Sequence, residues 1–131
     1  MVPAEYHIDR DARRVVSAVQ GVYSFDVAVG RMRRLQKEAG FDPSYSLLID
    51  FRKATKIDLS HDEIVELSSI HVFSPESKRA YVVANPEQFG LARMFASYRS
   101  PKKQNVFRVF TDMAEAIAWL DDDTDSATPA E

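Results

Sequence analysis

Three short apolar runs constrain this chain more than any other feature: SLLIDF at 46–51, KRAYVVAN at 78–85 and NVFRVF at 105–110. Each is short, apolar and rich in β-branched or aromatic residues, so each reads as a strand. SLLIDF is apolar up to Asp50 almost without a break, which suits a strand covered on both faces, as in a parallel sheet. Asp50 closes that strand, RKATK reads as a basic turn, and a helix is expected to start at Ser60. Between the runs lie SHDEIVELSSIHVF and NPEQFGLARMFASYRS, both with helical period. Parallel strands cannot be joined by a tight turn, so each pair needs a crossover, and a helix supplies it.

The flanks extend this pattern. In EYHIDRDARRVVSAVQGVYS, Tyr6 and Ile8 alternate with His7 and Asp9, DRDA supplies a turn, and VVSAVQGVY resumes the extended pattern. This predicts a β-hairpin with Arg13 and Arg14 at its solvent end. SFDVAVGRMRRLQKEAGF then changes period. Val27, Ala28, Met32 and Leu35 share a face, Arg31, Arg33, Arg34 and Lys37 point elsewhere, Ser24 caps the start and Gly40 stops the end. In the second helix Ile64, Leu67 and His71 form the stripe, and SPES breaks it. Asn85 caps the third helix with Pro86 at its first position. TDMAEAIAWLDD is a last helix capped by Thr111 or Asp112, with Met113, Ile117 and Leu120 near helical spacing beside Ala116 and Trp119. The order is ββαβαβαβα. It predicts an α/β domain with a mostly parallel, mixed five-stranded sheet, four helices, and an antiparallel strand at one edge.

The chain has 131 residues, 45% hydrophobic and 28% charged, which suits one compact domain over 1–121. The last ten residues, DDTDSATPAE at 122–131, have neither periodicity nor apolar content and are expected to be a frayed acidic tail. A net charge of −3 does not suggest a general nucleic-acid binder. With no cysteine there is no disulfide, thiolate nucleophile or Cys-ligated zinc, which fits a reducing cytoplasm. No apolar h-region opens the chain and no run approaches the roughly 20 residues of a membrane span, so a soluble cytoplasmic protein is expected.

Few residues suggest chemistry. Histidines stand at 7, 61 and 71, without the spacing of a metal site, so no metal is expected. Gly21, Gly30, Gly40 and Gly90 are scattered, and neither a phosphate loop nor a G-x-S-x-G elbow occurs. Asp50 ends a strand, where α/β ligand sites often fall, but a lone carboxylate there is more often a turn acceptor than a catalyst. From Lys78 to Arg108 there are seven basic residues and one acid, with Tyr81, Phe89, Phe95, Tyr98 and Phe107 interleaved. That is either an anion- or nucleic-acid-binding patch or, as favoured here, core aromatics with solvated cations at element ends. FGLARMFASY is apolar most of the way round its helix, whereas a helix on a sheet needs only one stripe. The surplus face either packs under neighbouring helices or forms a binding surface, for which Leu91, Met94, Phe95 and Tyr98 are the candidates.

The element order is similar to that of STAS domains, the fold of bacterial anti-sigma-factor antagonists. More closely, the chain resembles the bacterial SpoIIAA-like family, which shares its fold with CRAL-TRIO lipid carriers. The residues that carry this are EYHIDRDARRVVSAVQG, FDPSYSLLIDFRKAT with its aspartate-closed strand, FGLARMF, and VFRVFTDMAEAIAWL. The likeness spans about residues 4–121 and speaks to fold more than to chemistry. It implies a small non-enzymatic domain without a cofactor. One branch binds protein partners under phosphorylation control; the other has been proposed to carry non-polar molecules.

In STAS antagonists a serine at a helix start takes the phosphate. The corresponding stretch here is Asp58-Leu59-Ser60-His61, with the serine one position late and no glycine after it. Read on its own residues, Ser60 with Glu63 is an S-x-x-E capping box, and Asp58, Asp62 and Glu63 would repel a phosphate. The leading expectation is a non-enzymatic binding module for a protein partner or a non-polar small molecule. The alternative is a phospho-switched, anti-sigma-antagonist-type regulator using Ser60. A homodimer is kept open as a further partner; nucleic acid is not expected.

Overall fold

The computed structural model of the chain describes residues 4–99 and 106–122. The acidic tail from 123 on, and the PKKQ loop with Lys102 and Lys103, lie outside the described residues. Those described form strands β1 (Ala4–Asp9), β2 (Arg14–Ser24), β3 (Ser46–Asp58), β4 (Arg79–Val82) and β5 (Phe107–Phe110). The helices are α1 (Phe25–Gln36), α2 (His61–Ser68), α3 (Pro86–Arg99) and α4 (Met113–Asp121). The strands lie side by side in chain order, β1 antiparallel to β2 and the rest parallel. This is the mixed five-stranded α/β sheet expected from the period changes along the chain.

The strand order decides where the helices go. Successive parallel strands advance in one direction, and crossovers are right-handed, so α1, α2 and α3 must all cover the same face. Ala28, Met32 and Leu35 of α1, Leu67 of α2 and Ala92 of α3 accordingly share one core with Val15, Ile49, Tyr81 and Phe107. Among the described residues no strand follows α4, which covers the other face. There Ala116, Trp119 and Leu120 pack on Leu48, Ala80 and Val82. The two-residue alternation is clear in β4, where Tyr81 faces the three-helix side and Ala80 and Val82 face α4.

Local chemistry fixes the helix ends. Ser24 Oγ accepts from Val27 N–H at 3.3 Å, Asn85 Oδ1 from Gln88 N–H at 2.9 Å, and Asp112 Oδ1 from Ala114 N–H at 2.7 Å. The C-terminal carbonyls of Trp119 and Asp122 accept from Lys78 Nζ at 2.9 and 2.6 Å, a cation where the dipole of α4 favours one.

Several expectations need correction. β3 does not end at Asp50 but runs to Asp58, pairing with an equally extended β2. The supposed basic turn is strand: Lys53 and Lys56 are exposed, and Ala54 and Ile57 turn inward to half-burial. Register shifts flank Gly21, whose φ of +74° suits glycine and bends this ribbon beyond the short β4. α2 stops at Ser68, so His71 is exposed beyond it, while Val72 and Phe73 of the following loop are buried. Gly40 is not the stop of α1, which ends at Gln36 with Lys37 as its C-cap. Arg14 is buried rather than solvated, and its guanidinium pairs with Asp121 of α4.

Candidate functional site

The three helices do not fill the space over the sheet. Beneath α3 they leave a cavity of about 70 Å³. Its floor is a row of aromatic rings across the strands. Tyr23 of β2 meets Phe51 of β3 edge-on at 5.2 Å, Phe51 meets Tyr81 of β4 at 5.9 Å, and Tyr81 meets Phe107 of β5 at 5.8 Å. Edge-to-face contacts are favourable for aromatic quadrupoles, but rings held on edge leave gaps that aliphatic side chains would close. Phe95 of α3 roofs the row, 6.1 Å from Tyr81 and 6.3 Å from Phe107.

Burial locates the mouth. Of the lining residues, Ile57, Leu59, Leu91 and Phe95 are half-buried and all the others are buried. The opening therefore lies between the end of β3 with the following loop and α3, and its rim is apolar. A rim of this kind differs from an ordinary surface cleft, where polar residues are expected at the waterline.

Two guanidinium groups reach the cavity from its interior. Arg31 of α1 and Arg79 of β4 line it, each with 3% of its surface exposed. Arg79 donates from Nη2 to Ser74 O at 2.6 Å and lies over the rings of Phe107 and Phe73, at 4.8 and 5.9 Å. Arg31 donates from Nη2 to Tyr23 Oη at 3.2 Å, while its buried Nε–H meets no acceptor. None of the ion pairs among the described residues includes Arg31. Among the described residues no Asp, Glu or His lines the cavity. The lining thus combines apolar walls, phenol groups and two buried guanidinium groups.

The four candidate residues of α3 separate here. Leu91 and Phe95 line the cavity, whereas Met94 is half-buried without lining it. Tyr98 is 42% exposed, and its hydroxyl lies 2.6 Å from Nε2 of His61, tying the end of α3 to the start of α2. Ser60 is remote in role: its Oγ accepts from Glu63 N–H at 3.1 Å while Glu63 Oε1 accepts from Ser60 N–H at 2.9 Å, a complete capping box. Asp50 is a local acceptor, bonded to the backbone and guanidinium of Arg52 at 3.0 and 2.9 Å. Burial pushes its carboxyl upward, but the hydrogen bonds and charge of Arg52 outweigh that and hold it below the usual carboxylate range. The basic stretch is divided by the sheet: Arg79 faces the cavity, while Lys78 and Arg108 lie over Trp119 on the α4 side.

Sequence reasoning missed Arg31 and Tyr23, and counted Arg79 only within the basic stretch. A signal for Arg31 was present: Ala28, Arg31, Met32 and Leu35 stand at i, i+3, i+4 and i+7, the spacing of one buried stripe.

No family model and no curated protein matches the chain. Among solved structures it is similar to an uncharacterized protein of the DUF3478 family with a SpoIIAA-like fold from Shewanella loihica PV-4. Identity is 20%, the match covers 89% of this chain and 91% of that one, and the TM-score is 0.57. At that identity the likeness speaks for the fold: this chain has a SpoIIAA-like fold.

Proposed function

We propose that the protein is a non-enzymatic binding module that holds a non-polar small molecule in the cavity beneath α3. The observation that carries this reading is the apolar mouth formed by Ile57, Leu59, Leu91 and Phe95, opening into a space walled by buried apolar and aromatic side chains. Small-molecule sites are concave, mostly apolar and furnished with a few polar groups, and this cavity has that composition. Its volume is about half that of the roughly 150 Å³ apolar cavities known to admit benzene. The volume suits the end of a longer molecule, whose remaining chain extends through the mouth. Among the described residues the lining holds no carboxylate or imidazole to move a proton, which favours binding over catalysis.

A regulator switched by phosphorylation at Ser60 has less support. The hydroxyl is already used by the capping box, and Asp62 and Glu63 fill the first turn of α2 with negative charge. The test is a methyl-resolved NMR titration of delipidated protein with 1-octanol. Saturable shifts at Ile57, Leu59 and Leu91, with the methyls against α4 unmoved, are the expected result. Shifts confined to the α4 side would refute the reading.

A further inference from the structure

Arg31 is the group that the fold does not explain. A guanidinium carries five N–H donors and a permanent charge, and proteins seldom bury one without a partner. Here the side chain is 97% removed from water, given its 3% exposure, yet it donates to a neutral phenol, Tyr23 Oη. Nε–H is orphaned, and the described ion pairs leave Arg31 out. Packing alone would be better served by Met or Leu at this position, because an uncompensated buried charge is unfavourable and an apolar side chain of similar volume is not. The charge therefore needs a counter-charge. Among the described residues no acidic side chain lines the cavity to supply one.

We infer that the cavity selects an anion, a monocarboxylate with an apolar chain, whose head accepts hydrogen bonds from Arg31 and whose tail lies along the aromatic floor toward the mouth. The inference rests on the reading that the cavity binds a small molecule, and adds what that molecule must carry. Carboxylate suits the guanidinium because two oxygens in a plane can take two parallel N–H donors. The orientation follows from burial: the charged group that faces the cavity is in the interior, and the rim is apolar, so the head enters first and the tail fills the exit. Tyr23, already bonded to Arg31, holds the guanidinium in place from β2. Arg79, held by Ser74 O and two aromatic rings, adds positive potential.

The test is isothermal titration calorimetry of the delipidated full chain at pH 7.5 with a matched pair, octanoate and 1-octanol. Wild-type protein should bind octanoate at least tenfold more tightly than octanol. Arg31→Met should lose that preference while keeping octanol affinity within about threefold. Arg31→Lys, which keeps the charge but not the fork, should retain part of the preference. A second readout needs no variant: carbonyl-labelled octanoate bound to wild-type protein should titrate, by carbon NMR, at lower pH than free octanoate. Equal affinity for the two probes, an unchanged preference in Arg31→Met, or an unshifted titration would each overturn the inference while leaving the binding reading intact. Failure of both probes to bind would overturn both.

Discussion

Replacing Ala92 by Val tests the cavity through stability. Ala92 lies on α3, is buried with 7% exposure, and lines the space. Valine adds two methyl-sized groups. If they enter the cavity, their removal from water contributes about 0.8 kcal/mol each, or about 1.6 kcal/mol together. Helix propensity opposes this by at most about 0.7 kcal/mol for a β-branched residue. The net expectation is about 1 kcal/mol of added stability, which is a rise in Tm of about 3–5 °C for a domain of this size. The two added carbons would also take up space in the site. Octanol binding should therefore weaken at least tenfold in the same variant. The assay is thermal and urea unfolding of delipidated protein followed by circular dichroism. Were the roof already packed, the added carbons would strain it and cost about 1–3 kcal/mol. A Tm lowered by several degrees with octanol affinity unchanged would refute the reasoning, because the sign of the effect depends on the empty space.

Three further outcomes follow from named contacts. Ser60→Ala should destabilise by about 1 kcal/mol and Ser60→Asp by much less, since Asp caps as well as Ser; equal losses in urea titrations would contradict the capping role. Asp50 has its carboxyl lowered by Arg52, so this pairing stabilises the fold above the unfolded aspartate value of about 3.9 and is lost as pH falls through the lower folded value. Asp50→Asn should thus be less stable than wild type at pH 7 and converge with it at low pH; parallel pH–stability curves would contradict this. Tyr98→Phe removes the tie between α3 and His61, which should leave the fold intact and speed the exchange of bound octanol measured by NMR line shapes; unchanged exchange would mean that this tie does not hold the roof.

The fold was legible because its signals are periodic and repeated. Alternation in the hairpin, continuous apolar runs in β3 to β5, and caps at Ser24, Ser60 and Asn85 all point to one topology. Where single residues carried the decision, charge misled. Lys53 and Lys56 resembled a turn, although the segment FRKATKID contains no glycine or proline to make one. Arg14 and Arg31 were assigned to solvent by residue type although their positions were buried ones. In α2 the apolar spacing ran past the true end. Ser68 and Ser69 bond back to the carbonyls of Val65 and Glu66, each at 2.6 Å, at the point where the helix stops. The excess apolar surface of α3 was visible in FGLARMFASY, but its division was not. Only the crossing of α3 over the aromatic row sends Leu91 and Phe95 inward and leaves Tyr98 outside.

The most direct measurement of the central claim is a crystal structure of the full chain grown with octanoate. It should show an elongated ligand between the aromatic row and α3, its tail passing Leu59 and Leu91 and its carboxylate within about 3 Å of the Arg31 guanidinium, the spacing of a charge-assisted hydrogen bond. A cavity closed by repacked side chains, with Arg31 paired to a carboxylate of the protein itself, would contradict it.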